Sequence, residues 1–296
     1  MPSWAEILSE VQTAHDAARK KYLAQLSAVT GRNVIAYYSG WQQKSGPGTV
    51  FSILDSDMTG FMGAVNKLDR SKGLDLLLHT PGGEINATES IVNYLLYAFK
   101  GDVRAIVPHQ AMSAGTIIAL ACREIIMGMH SSLGPIDPQV GGLSAHGLIE
   151  EFNAIQDALK DNPQKAQAWV PVLQQYRPTL IGTCLKAIKM TEGIVEGWLK
   201  ANMFRGKKGA LKTITKILHE FGSHQRSLNH GRHFNYDKVS ATGVNVSQLE
   251  SNPDLQEAAL SAHHAFIVTF SGTRVVKIIQ NHSGAAFIQS AAPDPK

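Results

Sequence analysis

Two short glycine-bearing turns carry the residue types that acyl-transfer chemistry needs. The first is His79-Thr80-Pro81-Gly82-Gly83, directly after the apolar run Leu74–His79. Two consecutive glycines there let the main chain approach a ligand closely with its N–H groups uncovered. The second is Ala111-Met112-Ser113-Ala114-Gly115, which leads into small and apolar residues with helical character. A serine at that point has its hydroxyl near the positive end of a helix, where negative charge is favoured. Together the turns can present a nucleophile beside main-chain donors, as a tetrahedral oxyanion requires. Each turn alone has a plainer reading: Ser113 suits a helix cap and Gly82-Gly83 a simple turn. Other glycine-rich motifs do not fit. Gly-Lys-Ser/Thr and G-x-G-x-x-G are absent at both turns, and Ala111 stands where the G-x-S-x-G elbow needs its first glycine.

The surrounding elements must place these turns side by side. Leu74–His79, Val103–Val107 and Glu124–Met127 are short apolar runs of the kind a buried strand shows, and Ile85–Lys100 and Ser113–Arg123 between them have helical spacing. Strand–helix–strand alternation at this spacing predicts βαβ units and a parallel sheet. Upstream, Trp4–Leu26 reads as an amphipathic helix, Asn33–Trp41 as a strand, Lys44–Thr49 as a loop and Ser56–Leu68 as a helix. Downstream the pattern turns helical, with segments at Gly147–Leu159, Pro163–Gln175, Pro178–Met190, Thr191–Phe204, Gly209–Phe221 and Pro253–Phe270. The tail VVKIIQNHSGAAFIQ predicts two strands around a four-residue turn.

Composition bounds the function classes. A chain of 296 residues, 44% hydrophobic and 18% charged, suits a globular protein with a substantial core. Its net charge of +4 comes without a Lys/Arg block, which argues against a nucleic-acid partner. No apolar run is long enough for a transmembrane segment, and the first residues lack the order of a signal peptide. Cys122 and Cys184 have no C-x-x-C spacing and read as buried free thiols in a reducing compartment. No metal-ligand spacing is present, and no cofactor is expected. A cytoplasmic location follows as the expectation.

The segments LLLHTPGGEINATESI, VPHQAMSAGTIIALACREIIMG and SSLGPIDPQ occur in this order. In this they resemble the serine dehydrogenase proteinase family, relatives of the Clp protease proteolytic subunit and of signal peptide peptidase A. NHGRHFNYDKVSATGV resembles the C-terminal elements of such peptidases. The resemblance implies an α/β fold, with a Clp protease/crotonase-like core of βαβ units and a helical C-terminal half. The division it suggests is an N-terminal helix over 1–30, a peptidase domain over 31–250, and a C-terminal helix and β-hairpin extension over 251–296.

By that resemblance Ser113 is the nucleophile of a serine endopeptidase, a hydrolase, and the N–H groups of Gly83 and Ala114 form the oxyanion hole. Where the Clp subunit carries its histidine base, this chain has Pro135-Ile136-Asp137-Pro138. Asp137 therefore takes the second place in a Ser-Asp-His order. His230, in the matching C-terminal segment, is the favoured base, with His224 and His233 as rivals. His79 and His109 flank the two turns and are expected to line the cleft.

Lys160 and Lys165 fall where the signal peptide peptidase A relatives carry the lysine of a Ser-Lys dyad. A degenerate, Clp-like scaffold or binding protein is a further alternative. The implied partners are a polypeptide substrate, further copies of the chain in a homo-oligomer, and a separate ATPase or adaptor. The substrate is expected to bind extended, with Glu84–Ala87 offering a strand edge.

Overall fold

The computed structural model describes residues 4–223 and 229–291. Helix α1 (Trp4–Thr30) leads into strand β1 (Asn33–Ser39), followed by α2 (Asp57–Val65), β2 (Leu74–His79), α3 (Ile85–Ala98) and β3 (Val103–Val107). The two-residue strand β4 (Gln110–Ala111) precedes α4 (Ala114–Ala121) and β5 (Glu124–Met127). Short strands β6 (Ser132–Leu133), β7 (Gln139–Val140) and β8 (Leu143–Ser144) introduce the helices α5 (Ala145–Asp161), α6 (Ala166–Leu173), α7 (Leu180–Trp198) and α8 (Ala210–Gly222). The chain ends through α9 (Tyr236–Thr242), β9 (Val246–Gln248), α10 (Pro253–Gly272), β10 (Val275–Asn281) and β11 (Ala286–Ser290).

The central sheet has seven strands in the order β11-β10-β1-β2-β3-β5-β9. The five from β1 to β9 run parallel, and β10 and β11 are antiparallel. Every residue of β1 and β2 is buried, as expected for parallel strands covered on both faces. The two-residue period of a strand deals alternate side chains to opposite layers. Ile35, Tyr37, Leu74, Leu76, Leu78, Ala105 and Val107 pack with α3, α4, α7 and α8. Val34, Ala36, Tyr38, Leu77 and Ile106 pack under α1 and α10. The fold is thus α/β with a parallel core of βαβ units and a largely helical second half.

Two local expectations change. Pro178–Met190 and Thr191–Phe204 form one helix, α7, followed by a π-helical turn at Leu199–Met203. Gly193 and Gly197 each cost an interior helix about 1 kcal/mol relative to alanine. Burial of Thr191, Val195 and Trp198 along the same helix outweighs that cost. Glu84–Ala87 is not a strand edge: Glu84 caps α3 and Ile85–Ala87 form its first turn. The backbone of this region is already paired, with Glu84 N–H donating to Ile53 O at 3.0 Å.

Candidate active site

Both glycine-bearing turns sit at the C-terminal ends of parallel strands, where α/β sheets place their ligands. Thr80 ties them together: its N–H donates to Gln110 O at 3.1 Å, and its carbonyl accepts from Met112 N–H at 3.0 Å. Ser113 has φ 50° and ψ −117°, and its side chain makes no capping bond to α4. A non-glycine residue held there carries strain of about 1–3 kcal/mol. That is a poor way to cap a helix, and it lifts the hydroxyl out of the regular helical path. Gly115 permits the tight packing beneath, since a Cβ there would lie 2.5 Å from Thr80 Cγ2.

The Pro-Gly-Gly turn lies against the serine. A Cβ built at Gly82, whose φ is +103°, would stand 2.7 Å from Ser113 Cβ and 2.9 Å from the Ala114 nitrogen. Gly83 abuts the loop residue Ile53, whose nitrogen would be 2.2 Å from an added Cβ. Ile53 N–H donates to Gly82 O at 2.8 Å. Among the described residues the N–H groups of Gly83 and Ala114 make no hydrogen bond, and both residues line the same cleft as Ser113.

Asp137 enters from a different element. It is 1% exposed, in the loop that leads to β7. Thr116, buried on α4, fixes this loop to the nucleophile turn: its hydroxyl donates to Ala111 O at 2.7 Å and accepts from Gly134 N–H at 2.8 Å. Ile136 N–H donates to Phe221 O on α8. Ser144 Oγ, at 3.4 Å, approaches the second carboxylate oxygen of Asp137. His230 Nδ1 lies 2.8 Å from Asp137 Oδ1, although the two are 93 positions apart. What joins them is a two-residue bridge: Leu133 and Phe234 exchange main-chain hydrogen bonds of 3.0 and 2.8 Å, and Phe234 packs edge-on against Phe221.

Ser113, Gly83, Ala114, Asp137 and His230 all border a cleft of about 610 Å³. Ile117, Ile136, Ala187 and Thr191 give it an apolar wall. The Ser113 hydroxyl has no hydrogen-bond partner among the described residues. Lys160 is exposed and paired with Asp157 at 3.0 Å, Lys165 is exposed, and neither borders the cleft. His233 is also exposed and away from the cleft. His224 lies outside the described residues.

His79 and His109 do not line the cleft. Strand alternation sends Leu78 to the cleft-side layer and His79 to the other. There it packs among Trp41, Tyr38, His109 and His263, at ring-centroid separations of 4.3 to 5.5 Å. Among the described residues neither His79 ring nitrogen makes a hydrogen bond of normal geometry, although the Gln110 main chain lies close enough to favour the protonated ring slightly. Burial, then the neighbouring His263 and His109, hold the His79 imidazole well below its ordinary pKa. Burial, then the neighbouring His109, His264 and His130, bring His263 down to about 3. Among the described residues no three His, Cys, Asp or Glu side chains are placed to hold a metal ion, and no helix is long and apolar enough to cross a membrane.

Sequence reasoning missed Ile53, Thr116, Ser144 and the α7 wall. None of these belongs to a recognisable motif, and each acts through main-chain or packing contacts that only the fold creates.

A strained serine between strand and helix, beside two unbonded main-chain donors and a carboxylate–imidazole pair, is a site of the serine-hydrolase kind. The chain belongs to the family of ClpP-like SDH-type serine proteinases, whose sequence model matches residues 9–222. Two curated relatives are uncharacterized proteins of Methanocaldococcus jannaschii. MJ0137 is 42% identical over 94 residues and MJ1495 is 38% identical over 96. Each match spans 32% of this chain and 32% of the relative's own length. Among solved structures, a mutant of the 1510-N membrane-bound stomatin-specific protease aligns at 16% identity with a TM-score of 0.39. The alignment covers 66% of this chain and 74% of that one.

Proposed function

We propose that this chain hydrolyses peptide bonds through an acyl-enzyme on Ser113, with Asp137 and His230 completing a triad in the chain order Ser-Asp-His. The observation that carries this reading is the 2.8 Å pairing of His230 Nδ1 with the buried Asp137 carboxylate in the cleft that Ser113 borders. Asp137 holds the imidazole in the tautomer with its proton on Nδ1, so Nε2 is left basic. As Ser113 Oγ attacks the substrate carbonyl carbon, His230 Nε2 takes the hydroxyl proton. The carbonyl electron pair moves onto oxygen, where the N–H groups of Gly83 and Ala114 receive the charge. Collapse breaks the C–N bond, His230 returns the proton to the leaving amine, and water then repeats the sequence to release the acid. The Ser113–His230 hydrogen bond closes to about 3 Å in the substrate complex.

A polypeptide in extended form suits this cleft. The reading includes assembly with further copies of the chain, delivery by a separate ATPase or adaptor, and a cytoplasmic setting. The last is in keeping with two buried cysteines that carry no disulfide. The deciding experiment is labelling with a fluorophosphonate probe. The wild-type chain takes up the label and cleaves unfolded polypeptide, and Ser113→Ala does neither. A folded wild-type chain that resists the probe would make it a scaffold, not a peptidase.

A further inference from the structure

Ile53, buried between the cleft-lining residues Ser52 and Leu54, belongs to no regular element, yet it sets the backbone of the Pro-Gly-Gly turn. Both peptide groups of Ile53 are used on that turn, through Ile53 N–H to Gly82 O and Glu84 N–H to Ile53 O. Gly83 has no slack against it, because even a methyl group would collide with the Ile53 backbone. Any displacement of residues 51–54 is therefore passed directly to the Gly83 N–H.

What holds residues 51–54 is a fully buried ion pair. Lys277 on β10 and Asp57 at the start of α2 are both 0% exposed. The Lys277 ammonium donates to Asp57 Oδ1 and Oδ2 at 2.9 and 3.0 Å, and to Ser52 O at 2.6 Å. Asp57 Oδ2 also accepts from the Tyr37 hydroxyl at 2.8 Å and from Leu54 N–H at 3.1 Å. Ser39 Oγ donates to Phe51 O at 2.7 Å. The residues on both sides of Ile53 are thus fixed from inside the protein, while Ile53 itself is left for the turn.

A buried ion pair adds little stability over a well-packed apolar pair, so its use has to be sought in geometry. Here its spare hydrogen bonds go to the main chain of an irregular segment. We infer that Lys277, with Asp57 and Tyr37, is a positioning residue for the oxyanion hole: the trio fixes Ser52 and Leu54, on either side of Ile53, and through them the Gly83 N–H. Lys277 lies beyond residues 9–222, which the family shares. The inference rests on the peptidase reading above for its kinetic consequence, but not for its structural one.

Removing Lys277 alone strands a buried carboxylate and is expected to compromise folding. The test therefore uses the paired variant Lys277→Met/Asp57→Asn, with Tyr37→Phe as a milder change that keeps the ion pair. In the paired variant kcat falls about ten- to hundredfold with KM within about twofold. That is somewhat less than the loss of an oxyanion donor itself. Amide exchange at Glu84, read by hydrogen–deuterium exchange, quickens about tenfold or more. Tyr37→Phe shifts both in the same direction by a few-fold. A folded variant with wild-type kcat and wild-type exchange at Glu84 overturns the inference, as does a loss confined to KM. If the paired variant does not fold, unchanged exchange in Tyr37→Phe overturns it equally. Amide exchange needs no turnover. A wild-type chain without Ser113-dependent activity would therefore end the peptidase reading while the positioning of residues 51–54 was still being decided.

Discussion

Two groups of histidines lie on opposite sides of the same strand ends, and they could hardly be more different. His230, 24% exposed at its side chain, meets a buried carboxylate at 2.8 Å and borders a cleft. His79 and His263 are buried among aromatic rings and each other. Among the described residues His79 makes no hydrogen bond of normal geometry through either nitrogen, and His263 meets the Tyr38 hydroxyl at 3.2 Å and no carboxylate. A carboxylate neighbour stabilises the cation that a general base must become; a shell of rings and other imidazoles opposes it. The side chain is the same, but of these three only His230 pairs with a carboxylate at the edge of a cleft.

The comparison is broken most severely at Ser113. Ser113→Ala is expected to abolish turnover of a fluorogenic polypeptide substrate while leaving the circular dichroism spectrum unchanged. Next come the partners: His230→Ala and Asp137→Asn should each lower kcat by about 10³- to 10⁴-fold, with thermal midpoints close to the wild type. Full activity in His230→Ala would remove it from the triad and return attention to His224 and to the lysines.

The buried histidines should be felt in stability against pH. In the unfolded chain they take up protons at their ordinary pKa of about 6.5, whereas the folded state holds His79 well below that and His263 near 3. The unfolded state therefore binds more protons in this window, and the folded state loses stability as pH falls below about 6.5. The slope approaches about 1.4 kcal/mol per pH unit for each such histidine. Urea denaturation at a series of pH values between about 7.5 and 4.5 measures the slope; a flat profile would contradict the burial.

The smallest effect is the sharpest contrast. His79→Phe deletes two buried nitrogens that make no hydrogen bond of normal geometry among the described residues and should leave turnover within about twofold. It should also raise the thermal midpoint by about 2–4 °C and flatten the acid slope. A hundredfold loss of kcat in this variant would move His79 into the chemistry.

The parallel core was readable because its signals are local: apolar runs of strand length separated by helical spacing and stopped by glycines. Ser113 and Gly82-Gly83 were visible for the same reason, as residue types at the ends of such runs. Asp137 and His230 entered only through the resemblance, since nothing in their own neighbourhoods announces a partner 93 positions away. The face of His79 was in principle readable from strand alternation, because Leu74, Leu76 and Leu78 share a layer that excludes it. The unbroken α7 could not be read, as its glycines argued for an interruption that burial overrides. Ile53, Thr116 and the Lys277–Asp57 pair were out of reach for a different reason. Their importance lies in which main-chain atoms they touch, and no spacing rule encodes that.

The short exchange between Leu133 and Phe234 also has a temporal meaning. During synthesis Ser113 and Asp137 leave the ribosome well before His230, and the imidazole cannot reach its carboxylate until Phe234 has docked beside Leu133. Strand β10, which flanks β1, emerges later still. Such long-range pairings form slowly. On the triad proposed above, a nascent copy would lack its base, and so be unable to cut itself or its neighbours, until Phe234 has docked.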